Sequence, residues 1–304
     1  MSLFKKIAAR LRRYEAIPSR LDTLQEAVGR IEASLQQQVA APVNFASLEF
    51  KVYSQWGEDG IINYLVSRIE IPNRVFVEFG VENYTEANTL FLLKHRYWRG
   101  LVIDGSPDNI ESIRRGNVFW KFDLNAACAF VTRDNINELI VRNGISGDIG
   151  LLSVDIDGND YWVWEAITAV SPRIVIAEYN SLFGPSAKVS IPYDPTFTRG
   201  NSQVSKLFYG ASIAALNHLA ESKGYALVAG NSAGNNAFFV RRDCLGDLAP
   251  VLPEQAYVPQ PFRESRGDDG GVRLLTFAER RAAIERLPLV DVTSSKHVCL
   301  AELS

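Results

Sequence analysis

Cysteine is scarce in this chain: Cys128, Cys244 and Cys299 are odd in number and lie far apart. That spacing supports neither a disulfide framework nor a metal finger, so reduced thiols and a cytoplasmic setting are expected. Charge of one sign is also lacking, because 32 Lys plus Arg against 35 Asp plus Glu leave a net charge of -3. Without a basic field over the whole chain, a nucleic-acid partner is not expected. No stretch approaches the roughly twenty apolar residues of a membrane span, and no uninterrupted apolar run follows the basic start as a secretory signal requires. The three-glycine pyrophosphate fingerprint is missing, which disfavours a nucleotide-sugar enzyme that uses a nicotinamide cofactor. What is present, 304 residues with 47% hydrophobic and 22% charged side chains, predicts one large globular domain with appendages.

The appendages come first. Between Met1 and Tyr14, Lys5, Lys6, Arg10, Arg12 and Arg13 surround Leu3, Phe4, Ile7 and Leu11 at helical spacing. This basic amphipathic helix suits peripheral contact with an anionic membrane at its inner, cytoplasmic face; a solvated helix or partner-binding arm is the alternative. From Ile17 the apolar positions continue through Leu21, Leu24, Val28, Ile31 and Leu35 in steps of four and three. About three heptads result, predicting a coiled coil that joins chains into a homo-oligomer, against the alternative of one helix packed on its own domain. Residues 1–40 are thus read as helical, 41–49 as a linker containing Pro42 and Asn44, 50–245 as the sheet domain, and 246–304 as a covering extension.

Within the sheet domain, short β-branched and aromatic runs alternate with helical ones, the mark of a parallel sheet covered by helices. Seven strands are predicted, at Val75 to Glu78, Gly100 to Asp104, Val118 to Phe122, Gly150 to Asp155, Arg173 to Glu178, Tyr225 to Ala229 and Ala237 to Arg241. The final pair flanks only Gly230 to Asn236, so it reads as an antiparallel addition to a mostly parallel, Rossmann-like α/β sheet.

The first strand runs into a turn at Gly80, and the second ends at Asp104. In open α/β sheets ligands bind beyond the carboxyl ends of the strands, and an acid at the second strand end can accept the hydroxyl protons of a ribose. The turn reads Gly80-Val81-Glu82-Asn83-Tyr84, and Glu82 would repel a diphosphate. A cofactor with a ribose and a cationic centre but no phosphate fits better, and S-adenosylmethionine is the common one. The densest polar cluster follows the fourth and fifth strands, in Asp155-Ile156-Asp157-Gly158-Asn159-Asp160 and Glu178-Tyr179-Asn180. Asp155 and Glu178 are expected at the catalytic centre, as proton acceptors or as ligands of a magnesium ion together with Asn180, with Asp157 as an alternative partner. One member of the Asp157, Asn159, Asp160 group is expected to cap the following helix instead. Of three histidines, His218 is the one expected to be catalytic, against a purely structural helical role.

Whole phrases also look familiar. SQWGEDGII from Ser54, FVEFG from Phe76, ANT at Ala87 to Thr89, GLVIDGS from Gly100, LLSVDIDGNDYWVW from Leu151, IAEYN from Ile176 and YGAS from Tyr209 resemble the FkbM-like class I methyltransferases. The resemblance spans about Tyr53 to Arg242. It implies a Rossmann-like methyltransferase domain, S-adenosylmethionine as donor, and a hydroxyl acceptor on a glycan or natural product. By motif it assigns Glu78 and Gly80 to the cofactor turn, Asn88 and Thr89 to the helix after it, Asp104 to the ribose, and Gln55 to a closing position. Asp155 then faces both cofactor and catalytic centre, and Asp123, read as the end of the third strand, is expected at the adenine. A non-catalytic scaffold assembled through the coiled coil is the competing reading, although it would not need the acids Asp104, Asp155 and Glu178.

Overall fold

The computed structural model describes residues 3–39, 43–267 and 269–303. Helix α1 (Leu3–Gln36) is continuous over 34 residues. In its first part only the side chains of Tyr14, Ile17 and Arg20 are described, so the basic face expected over Met1 to Arg13 lies outside the described side chains. Its last four turns dock on the sheet domain. Gly29 permits the approach, since a Cβ there would meet Val52 Cγ2 at 2.3 Å. Ala33 and Gln36 are buried beside it, and the Gln36 amide donates to Leu48 O at 2.7 Å and accepts from Asn63 at 2.7 Å. Ile17, Leu21, Leu24, Val28, Ile31 and Leu35 face the other way, 43–62% exposed. The helix thus packs on its own domain through the face opposite the heptad seam. After it, Asn44 caps a single 3-10 turn at Phe45–Leu48 by accepting from the Ala46 amide, and Leu48 is buried.

Helix α2 (Glu58–Arg68) precedes strand β1 (Val75–Phe79), then follow α3 (Leu90–Arg96), β2 (Arg99–Asp104), α4 (Pro107–Arg115), α5 (Asn117–Lys121) and β3 (Leu124–Cys128). Beyond them come α6 (Ile136–Arg142), β4 (Gly147–Val154), α7 (Asp160–Ala166), β5 (Val170–Glu178), β6 (Val189–Ser190), α8 (Arg199–Ser202), α9 (Ile213–Ser222), β7 (Tyr225–Gly230) and β8 (Asn236–Arg241). Seven strands form one sheet in the order β3-β2-β1-β4-β5-β8-β7. Strands β1 to β5 are parallel, and β8 inserts between β5 and β7, antiparallel to both. As expected, β7 and β8 form a hairpin at one edge of the sheet, and within it β8 is the strand that runs against the others.

Alternate residues of the central strands feed two cores, as strand geometry requires. Val75, Val77 and Phe79 pack with Ile136, Ile140, Val163, Trp164 and Leu216 on one side. Phe76 and Val102 pack with Ile61, Leu65, Leu90, Leu93 and Ile110 on the other. Each such buried side chain contributes on the order of 1.5–3 kcal/mol relative to exposure, so both faces anchor the strand ends firmly.

One strand differs from expectation. Val118 to Lys121 lies in helix α5 with Phe122 as its C-cap, the helix residues are at most half-buried, and the edge strand is the following Leu124–Cys128. Small residues suffice there because Ala126 and Ala127 each face a single helix layer, whereas the aromatic density of 118–122 imitates a strand.

The segment after β8 holds α10 (Pro253–Ala256), a hairpin of β9 (Glu264–Arg266) and β10 (Val272–Leu274), α11 (Phe277–Ala282), β11 (Leu289–Asp291) and β12 (Lys296–Val298). Strand β11 pairs with both β12 and β6, tying this segment to the sheet domain. Leu182, Phe183, Ile191, Leu207, Phe208, Ile284 and Leu289 form a separate core beneath it.

Candidate active site

At the end of β1, Glu78 is buried and its carboxylate accepts from the Asn88 amide at 2.9 Å and the Thr89 amide at 3.1 Å. It thereby fixes the start of α3; burial pushes this carboxyl up despite those donors. Thr89 is fully buried, with its hydroxyl between Glu78 and Tyr84, and does not reach a cavity. Gly80 has φ +75°, and a Cβ there would lie 1.6 Å from Asp155 O. Glycine is required by the adjacent backbone at the end of β4. Gln55, Glu78, Gly80, Asn88 and Asp155 line a cavity of about 210 Å³ with Glu82, Glu178 and Asn236.

The Gln55 loop is held by the carboxylates of its own motif. Asp59 accepts from the amides of Val52, Tyr53 and Ser54 at 2.8, 2.6 and 2.9 Å. Glu58 accepts from the Trp56 and Gly57 amides and from the side chains of Asn231 and Asn236. These two acids shape the loop, and the adjoining Gln55 and Trp56 face the cavities.

A second cavity of about 190 Å³ shares Gly80, Glu82, Asp155 and Asp157 with the first. Asp104 lies in its wall. Its Oδ1 accepts from Ser106 N at 2.8 Å and Asn109 Nδ2 at 2.9 Å, and its Oδ2 from Glu82 N at 2.8 Å. With two acceptor sites per oxygen, Oδ2 retains room for one further hydroxyl. The apolar wall is Phe130, Val131, Ile156 and Phe197. The sequence pattern does not single out Phe130 and Val131, because the aromatic run at 118–122 imitates the third strand one element early. Asp123 consequently precedes β3 instead of ending it; its carbonyl accepts from Gly100 N at the entry to β2, the opposite edge of the sheet from the cavities. Asp123, expected at the adenine, lines none of the three cavities.

Asp155, Asp157 and Glu178 bring ligand oxygens within 4.8 Å of one another. Arg199 supplies the counter-charge, with Nη1 2.5 Å from Asp157 Oδ1 and its guanidinium 3.8 Å above the Tyr209 ring. Burial, then repulsion from Asp157 and Asp160, pushes the Asp155 carboxyl well up; burial, then Asp155, does the same to Glu178. Glu178 Oε2 and Asn236 Oδ1 are buried without a partner. Asp160 accepts from Ile156 N and Gly158 N at 2.8 and 2.9 Å, so it is the turn-holding acid of its group, and burial pushes it up to about 6.

Asn180 does not join them. Its amide donates to Leu207 O and Tyr209 O at 2.9 and 3.0 Å, and its oxygen accepts from Leu182 N at 3.1 Å, which removes it from the expected metal set. Asp157 takes that place. His218 lies in α9, half-buried, and lines neither these cavities nor the larger one, so the structure gives it no catalytic position.

The larger cavity, about 690 Å³, adjoins the first: Gln55, Asp157, Glu178 and Arg199 line both. Its remaining wall comes from the loop before α9 and from the C-terminal segment, notably Tyr209, Gln260, Phe262, Arg263 and Arg280. Trp56 stacks on Phe262 with ring centroids 4.1 Å apart, joining the Gln55 loop to that segment.

No family model matches the chain, and no curated protein matches it. Among solved structures it is similar to the plantazolicin methyltransferase BamL, crystallised with a triazolic desmethylPZN analog and SAH, at 13% identity and TM-score 0.35, covering 58% of this chain and 66% of that one. It is similar to the SAH-bound N-terminal domain of EvdMO1 at 10% identity and TM-score 0.37, covering 70% and 94%. A third likeness is the O-methyltransferase from Bacillus cereus in complex with SAH, at 11% identity and TM-score 0.38, covering 71% and 88%. The chain spans slightly under two thirds of the BamL chain.

Proposed function

We propose that this chain is an S-adenosylmethionine-dependent O-methyltransferase of the FkbM-like kind, acting on a hydroxyl of a glycan or glycosylated metabolite. The observation that carries the reading is the junction of three cavities around Asp155, Asp157 and Glu178: the two small ones share Asp155 and Asp157, and the large one shares Asp157 and Glu178 with the first. The donor set suits the cofactor. Asp104 Oδ2 can accept one ribose hydroxyl, Phe130 and Phe197 offer an apolar slot for a flat base, and the acids around Gly80 favour a sulfonium and an ammonium while repelling phosphate.

When bound, S-adenosylmethionine supplies a methyl carbon open to in-line attack by an oxygen nucleophile. The protein's task is to hold that oxygen and take its proton. Glu178 Oε2, buried and unpartnered, is placed to accept the proton, and a carboxyl raised above its ordinary range is a stronger base when ionised. Arg199 limits the repulsion among the three acids, so the reading without magnesium is adopted; were the ion present, Asp155, Asp157 and Glu178 would hold it.

Assembly is proposed as well: the exposed seam of α1 pairs with the seam of a second copy, leaving the docked face of each helix on its own domain. Peripheral membrane contact through residues 1–14 rests on their sequence, and among the described residues no helix is long and apolar enough to cross a membrane. Native mass spectrometry of the full chain, with and without added S-adenosylhomocysteine, tests the cofactor reading: a bound mass supports it, and no bound mass at saturating ligand refutes it.

A further inference from the structure

Resting on the methyltransferase reading, we infer that the acceptor carries an anionic group, a carboxylate or a phosphate, which the Arg280 guanidinium receives in the 690 Å³ cavity. Two buried side-chain atoms among the residues lining that cavity have no partner among the described residues: Glu178 Oε2, an acceptor, and Arg280 Nε, a donor. Burying a polar group without a hydrogen bond is costly, and for a charged group more so. Glu178 is accounted for by the reacting hydroxyl. Arg280 has no such role in the reaction.

Arg280 is 2% exposed. Its Nη2 donates to Gln260 O at 2.7 Å and its Nη1 to Gln260 Oε1 at 3.3 Å, so Gln260 orients the guanidinium without neutralising it. Among the described residues, no carboxylate comes within ion-pair distance of Arg280, or of its cavity neighbours Lys206 and Arg263, while Arg199 and Arg266 are each paired. Among the described residues, the cavity therefore holds three cations without an ion-pair partner against one unpaired carboxylate, Glu178. A fixed guanidinium with a free Nε–H matches the planar oxygens of a carboxylate or the tetrahedral oxygens of a phosphate. The acceptor's hydroxyl meets Glu178 while its anion meets Arg280, which would set which hydroxyl of a polyhydroxylated molecule is presented.

The test titrates D-glucuronate, D-glucose 1-phosphate and D-glucose into the full chain, with and without S-adenosylhomocysteine. One or both anions should bind about tenfold or more tightly than glucose, and which of them binds separates carboxylate from phosphate. Arg280→Lys keeps the charge but loses the Nε donor, and should weaken anion binding about tenfold with S-adenosylhomocysteine affinity unchanged. Should that variant fail to fold, Arg263→Gln at the exposed rim should weaken it about threefold. Anions that bind no better than glucose, or bind undiminished in the folded variants, overturn the inference. Loss of S-adenosylhomocysteine binding in the unsubstituted chain would instead overturn the methyltransferase reading, and the anion comparison made without it would still be scored separately.

Discussion

The Arg199 guanidinium lies 2.5 Å from the Asp157 carboxylate, and through that contact a cation supplied by α8 reaches the acids at the ends of β4 and β5. Arg199 lowers both Asp155 and Glu178 against the larger effects of burial and mutual repulsion. A base that must be ionised to work loses activity as pH falls through its pKa. With both carboxyls raised, methyl transfer should decline on the acid side at a pH well above the ordinary carboxylate range. Arg199→Met should move that acid limb to higher pH, read from the pH dependence of single-turnover rates; an unmoved limb would separate Arg199 from the base.

Chelation addresses the same acids from the other side. EDTA should leave turnover unchanged, since Arg199 already provides the positive charge beside Asp157. Abolished turnover, restored by magnesium, would assign Asp155, Asp157 and Glu178 to a metal.

Gly80→Ala should destabilise the fold. The added Cβ would press on Asp155 O in a left-handed backbone, at a cost on the order of 3 kcal/mol. Chemical denaturation with cofactor absent measures this; a stability loss seen only with cofactor bound would mean that the glycine serves ligand approach instead.

Leu24 and Val28 are exposed on the outer face of α1. Leu24→Lys with Val28→Glu should leave thermal stability of the sheet domain nearly unchanged, within about 0.5 kcal/mol per site, while lowering the mass seen by light scattering. An unchanged mass would leave the seam without a partner copy.

The central strands were legible because Val75 to Glu78, Gly100 to Asp104 and Ile174 to Glu178 are apolar runs ending in an acid, the pattern of strands buried on both faces. Edge strand β3 was not, since alanines carry it and the aromatic run before it has the stronger strand character. That slip put the expected strand-end position at Asp123, whereas Phe130 is the residue that lines the cavity beyond β3. Asn180 misled differently: its position beside Glu178 is a strand-end position, but the side chain is consumed by backbone groups that only folding brings together. Arg199 and Arg280 were beyond reach because they arrive from loop and C-terminal elements that no local pattern links to the strand ends.

The central claim is that the cavities walled by Gly80, Asp104 and Asp155 hold the cofactor. Calorimetric titration of S-adenosylhomocysteine into the full chain and into Asp104→Asn measures it most directly. One-to-one binding is expected, weakened in the variant by roughly 1.5–3 kcal/mol, or about one to two decades, through loss of a charge-assisted hydrogen bond. Absence of binding in the unsubstituted chain, or equal binding in a variant shown by circular dichroism to be folded, would contradict it.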